Sequence, residues 1–182
     1  MSGRVGPRVL GMALAATLAA CGAPRVSRPS HDASLYVAYI DAKRAPMRWR
    51  DVPLHCEGPN KAILSWNMRR DEAGLLFVEN APTGKCWILG GFNGGPRDYV
   101  FKLPDDPARN LTAVTPKRPG VQYMGAYRFE PGLAGSFRLV KVDDPAEMDV
   151  LTTVLPYVHG TAWSDVVKKR LDFLDNQKNR DR

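Results

Sequence analysis

Short apolar runs separated by turn residues dominate the middle of the chain. Leu35-Tyr36-Val37-Ala38-Tyr39-Ile40 is rich in β-formers, and Ala62–Met68, Leu75–Glu79 and Lys85–Leu89 follow as further strand candidates. Asp98–Leu103 alternates apolar and polar positions, Leu111–Val114 is a shorter candidate, Val121–Phe129 is long and aromatic, and Ser136–Val142 alternates again. Turn residues such as Ala81-Pro82-Thr83-Gly84 punctuate these runs at hairpin-like spacing. The pattern predicts a mainly β fold, an antiparallel β-sandwich of about 7–8 short strands.

The period then changes. Asp144-Pro145-Ala146-Glu147 reads as a helix start, with Asp144 as cap, Pro145 in the first turn and Glu147 three residues on; this helix runs to about Leu155, before Pro156. Trp163, Val166, Val167, Leu171 and Leu174 recur at helical spacing, which predicts a second, amphipathic helix over roughly Thr161–Asn176. Trp163, Val167, Leu171 and Leu174 are expected to dock on the sheet, because an isolated helix of this length is marginal in water. The predicted organisation is a leader over 1–20, a tether over 21–34, a β-sandwich over 35–143 and a helical segment over 144–182 packed on it.

The N-terminus carries the clearest message. Arg4 and Arg8 form a short basic region, and Val9–Ala20 is apolar throughout; these twelve residues suit a signal-peptide core and fall short of the 20 or so that a spanning helix needs. The run ends in Leu18-Ala19-Ala20-Cys21. This resembles the lipobox of bacterial lipoproteins, in which an aliphatic residue and two small residues precede the cysteine. The resemblance implies a diacylglyceryl group on Cys21, removal of the signal peptide, and Cys21 as the new N-terminus. Lipid on Cys21 makes the membrane a partner, and two or more acyl chains hold a protein stably. Gly22 stands where inner-membrane lipoproteins often carry aspartate, so the outer membrane facing the periplasm is the expected address in a two-membrane cell. Residues 22–34, with two prolines and two arginines, read as a flexible tether.

A second resemblance rests on Gly74–Lys85, where a hydrophobic strand ends in Pro82-Thr83-Gly84 and the next strand follows at once. This is similar to the strand-turn-strand of transthyretin-like and carboxypeptidase-regulatory-like domains, and implies that Gly120–Phe129 is a later strand of the same sandwich.

Composition adds constraints on chemistry. The 182-residue chain has 44% hydrophobic residues and a net charge of +7; the first 20 residues hold two arginines and no acid, so the rest carries +5. With Cys21 assigned to lipid, Cys56 and Cys86 read as one disulfide of an exported protein. A thiol or copper site, with His55 beside Cys56, is the alternative. His31, His55 and His159 show no zinc spacing. Gly90–Pro96 is flanked by strands rather than a helix and lacks a Walker lysine, so it reads as a hairpin or bulged loop. No GxSxG occurs, and Asp105-Asp106 and Asp143-Asp144 are neighbours on loops rather than a facing acid/base pair. Lys43, Arg44, Arg48 and Arg50 surround Met47 and Trp49, a segment suited to anionic headgroups or to a solvated loop. No cofactor, metal or nucleic acid is expected. The expected role is a non-catalytic binding or structural module of the cell envelope, with an envelope protein as possible partner; a carrier of a lipid or small ligand and an envelope hydrolase are the alternatives.

Overall fold

The computed structural model describes residues 31–44, 52–89, 91–92, 101–104, 106–131 and 137–181. Among the described residues, ten strands precede two helices: β1 (Ala33–Asp41), β2 (Pro53–Glu57), β3 (Ile63–Asn67), β4 (Arg69–Arg70), β5 (Leu75–Pro82), β6 (Cys86–Ile88), β7 (Gly91–Phe92), β8 (Phe101–Lys102), β9 (Gly120–Pro131), β10 (Phe137–Val142), α1 (Glu147–Val154) and α2 (Trp163–Arg180). A five-stranded sheet runs β10-β9-β1-β5-β4, a three-stranded sheet runs β3-β2-β6, and β7 pairs with β8. The fold is mainly β and sandwich-like, with both helices near the C-terminus.

The larger sheet is covered on both faces. On one face Tyr36, Ala38 and Ile40 of β1, with Leu76 and Val78 of β5, meet Leu54, Cys56, Cys86 and Ile88 of the smaller sheet. On the other face Leu35 and Val37, with Leu75 and Phe77, meet Val150, Leu151, Val154, Val158, Trp163 and Val167. Successive side chains of a strand point to opposite faces, so only a strand apolar at almost every position can serve both cores. β1 is such a strand, and its one polar interior residue, Ser34, pairs its hydroxyl with Thr83 Oγ1 at 2.8 Å.

β1 pairs antiparallel with β5 but parallel with β9, an exception to the otherwise antiparallel pairing of the described strands. A bulge interrupts each side of it. Against β9, Val37 faces Tyr123 and Ala38 faces Gly125, so Met124 is the extra residue. Gly125 has φ of 119°, and a Cβ there would lie 2.9 Å from Tyr127 Oη, so the bulge needs glycine for both backbone and space. Against β5 the register slips between Ser34 and Tyr36, next to Asn80 with φ of 60°. This left-handed residue turns its side chain toward the helices, where Asn80 Oδ1 accepts a hydrogen bond from Trp163 Nε1 at 3.2 Å.

Several local expectations are corrected. β2 (PLHCE) is a strand beyond those expected; its alternation is short, with Leu54 and Cys56 buried between Pro53, His55 and Glu57, and β3 and β6 pair on either side of it. Leu111–Val114 is not a strand and forms only a bridge between Val114 and Cys86. Its neighbours replace the ladder with side chains: Asn110 Nδ2 donates to the carbonyls of Ile88 and Pro104, and Ile88 N–H donates to Thr112 Oγ1. The Pro82-Thr83-Gly84 turn does not close a hairpin within one sheet but carries the chain from the larger sheet to the smaller, and Tyr36 Oη donates to Pro82 O at 2.9 Å. Asp144 is not the cap of α1; Ala146 is, and its N–H donates to Asp149 Oδ2 at 3.3 Å. Of the expected strand over 98–103, Phe101–Lys102 is strand and residues 98–100 lie outside the described ones.

Both helices lie on the sheet. Trp163 and Val167 are buried, and Val166, Leu171 and Leu174 pack partly buried beside them. Arg170 bridges the helices through a bidentate pair with Glu147, at 2.7 and 3.0 Å. Trp163 fills the space between helix and sheet and also holds Asn80, so Trp163→Ala in the full chain should lower stability by about 3–5 kcal/mol. Urea unfolding followed by circular dichroism measures the loss.

Candidate functional site

Cys56 and Cys86 are joined, with their Cα atoms 4.1 Å apart. They stand directly opposite each other across β2 and β6. The backbone N–H and C=O of Cys86 bond to Val114, away from β2, so the pair occupies a non-hydrogen-bonded ladder position, where opposed side chains come closest. Both cysteines are fully buried, and Tyr36 Oη lies 3.1 Å from Cys86 Sγ. The disulfide is thus part of the core between the sheets. His55 points to the other face of β2, edge-on to Trp87 with ring centres 6.0 Å apart.

The basic segment is only partly visible. Lys43 and Arg44 form an exposed turn after β1, where Lys43 N–H donates to Asp41 Oδ1 at 3.0 Å. Cys21, Arg48, Trp49 and Arg50 lie outside the described residues. His159 is exposed in the turn between the helices. Among the described residues, no three His, Cys, Asp or Glu side chains converge as a metal site, and no helix is long and apolar enough to cross a membrane.

Two surfaces not evident from the sequence emerge. The first is a groove of about 390 Å³ at the end of β9 that extends past β10. Ladder pairing between these strands stops at Ala126 and Val142, so Tyr123, Met124 and Gly125 form a floor that β10 leaves uncovered, while β1 pairs along their other side. Leu111, Ala113 and Val114 line it as well, as do Lys141, Asp143 and Glu147. Its phenols are engaged internally: Tyr123 donates to Pro145 O at 3.1 Å, and Tyr127 to Met124 O at 2.6 Å. Burial pushes both tyrosines up to about 12, with the Glu147 and Asp149 carboxylates adding to the effect at Tyr123. Glu147 is held by Arg170. The groove thus offers a mixed lining, apolar at Leu111, Ala113, Val114 and Met124 and charged at Lys141, Asp143 and Glu147. The second surface is β3, whose five residues are all exposed except the half-buried Trp66.

No protein-family model, curated protein or solved structure matches this chain.

Two predictions follow from this geometry. Replacing both Cys56 and Cys86 by alanine frees a loop with a sequence separation of 30. On chain entropy, this should cost about 3–4 kcal/mol in urea unfolding. The second concerns alkali. Tyr36, Tyr123 and Tyr127 rise in the folded state from 10.0 to about 12, with burial as the leading cause in each. The unfolded chain then releases protons first, so stability is full below pH 10 and falls as pH climbs toward 12. The share of tyrosinate absorbance owed to these three residues should appear together with the loss of circular dichroism.

Proposed function

We propose that this chain is a lipid-anchored lipoprotein of the cell envelope whose β-rich domain serves as a non-catalytic binding or structural module. The observation that carries the reading is Leu18-Ala19-Ala20-Cys21 closing a twelve-residue apolar core. The Cys56–Cys86 disulfide supports it, because such bonds persist in oxidising compartments outside the cytosol. Outer-membrane attachment facing the periplasm follows from Gly22 in a two-membrane cell.

The geometry limits how such a domain sits on its membrane. Eleven residues separate Cys21 from Ala33, and at about 3.3–3.6 Å per residue they reach roughly 40 Å. Lys43 and Arg44 lie at the opposite end of β1 from Ala33, about 30 Å away at the rise of an extended strand. The basic turn therefore meets headgroups when the tether runs back alongside the domain; otherwise it faces the aqueous space. A second reading, carriage of a small ligand, is favoured by the groove beside β9, whose volume falls within the usual range of ligand sites.

Intact mass of protein extracted from membranes should begin at Cys21 and carry acyl groups, and Cys21→Ser should release the protein from the membrane fraction. A soluble mature species with an unmodified Cys21 overturns the proposal.

A further inference from the structure

We propose that the free edge of β3 receives an extended peptide of an envelope partner, apolar at its centre and acidic at its ends, as a fourth strand of the smaller sheet. This gives the binding role a partner class and rests on that reading.

Among the described residues β3 is the outermost strand of its sheet, with no strand on its far side. The ladder direction fixes which of its polar groups are spare. Backbone bonds from Gly58 N–H to Ala62 O and from Met68 N–H to Val52 O bracket the strand, so the groups of Leu64 and Trp66 point toward β2. By the alternation of an antiparallel ladder, those of Ile63, Ser65 and Asn67 point outward. Ile63 and Leu64 are 50% and 40% exposed. Natural sheets usually blunt an open edge with proline, lysine or an inward-pointing charge. Ile63-Leu64-Ser65-Trp66-Asn67 contains none of these. The edge is dressed as a strand-pairing surface, in the mode by which main-chain bonds give affinity and flanking side chains choose the partner.

The flanks choose acid. Lys61 precedes the strand and Arg70 follows it, both exposed, while Arg69 pairs with β5 and lies over the Phe77 ring, 4.8 Å from its centre. Glu57, opposite Ile63, is occupied by Lys85 at 3.4 Å. Asp71 folds back to accept from the N–H groups of Gly74 and Leu75, each at 2.8 Å. Glu72 is exposed beyond it.

The test uses the full protein extracted in mild detergent and three labelled peptides. One has a Val-Thr-Val-Thr-Val centre with two glutamates at each end; the second replaces the glutamates with lysines; the third is the acidic peptide with its backbone N–H groups methylated. Fluorescence anisotropy should show the acidic peptide binding about tenfold tighter than the basic one, with a preference that fades in salt. The methylated peptide should bind weakly, and amide protection should rise at Ile63, Ser65 and Asn67. Ser65→Pro removes only an outward N–H and should weaken binding about three- to tenfold. Lys61→Glu combined with Arg70→Glu leaves the ladder intact and should reverse the peptide preference. Equal binding of all three peptides overturns the proposal. So does acidic-peptide binding unaffected by both variants, or a β3-dependent dimer in sedimentation without peptide. Mass analysis of the same preparation reports lipidation separately, so failure at the edge and failure of the lipoprotein reading are told apart.

Discussion

The central constraint is the burial of β1 on both faces. A strand that feeds two cores cannot alternate apolar and polar residues, and its neighbours must bring matching layers to each side. The smaller sheet supplies one layer and the two helices the other. The bulges at Met124 and near Asn80 fit this demand. Each lets a neighbouring strand turn a side chain out of step with β1: Tyr127 reaches back over Gly125, and Asn80 reaches across to Trp163. The disulfide, the Asn110–Thr112 side-chain ladder and the Glu147–Arg170 pair then secure elements that β1 itself does not touch through its ladder.

Much of this was legible because local chemistry and global role agree. The unbroken run Leu35–Ile40, the aromatic stretch of β9, the alternation of β10 and the stripe of α2 each carry their own period. What was not legible depends on partners distant in sequence. β2 has only Leu54 and Cys56 to mark its alternation, among a proline, a histidine and a glutamate, and its pairing with β3 and β6 completes it as the central strand of its sheet. The segment Leu111–Val114 has strand-like residues, yet Asn110 and Thr112 satisfy the edge of β6 before a ladder can form. The unbroken apolar run of β1 marks burial on both faces, but not which distant strand pairs with it or in which direction.

The site divides the same way. The cysteine pair could be read from compartment and count. The groove beside β9 could not, because it arises where β10 ends at Val142 and the chain departs into α1. The β3 edge looked like an ordinary core strand, since Ile63, Leu64 and Trp66 are apolar; its exposure follows from strand order, which a linear pattern does not contain.

The pairing of Ser34 with Gly120 has a consequence for how the molecule is made. A chain grows from its N-terminus, so β1 exists long before β9, and longer still before Trp163 and Val167 arrive to cover Leu35 and Val37. The antiparallel partner β5 protects one edge earlier, but the opposite edge and one whole apolar face wait for the last third of the sequence. Contacts this distant make closure slow and leave a sticky nascent species. Until that last third arrives, the exposed edge and apolar face of β1 are a surface that other chains can pair with, and shielding it is part of what this fold requires.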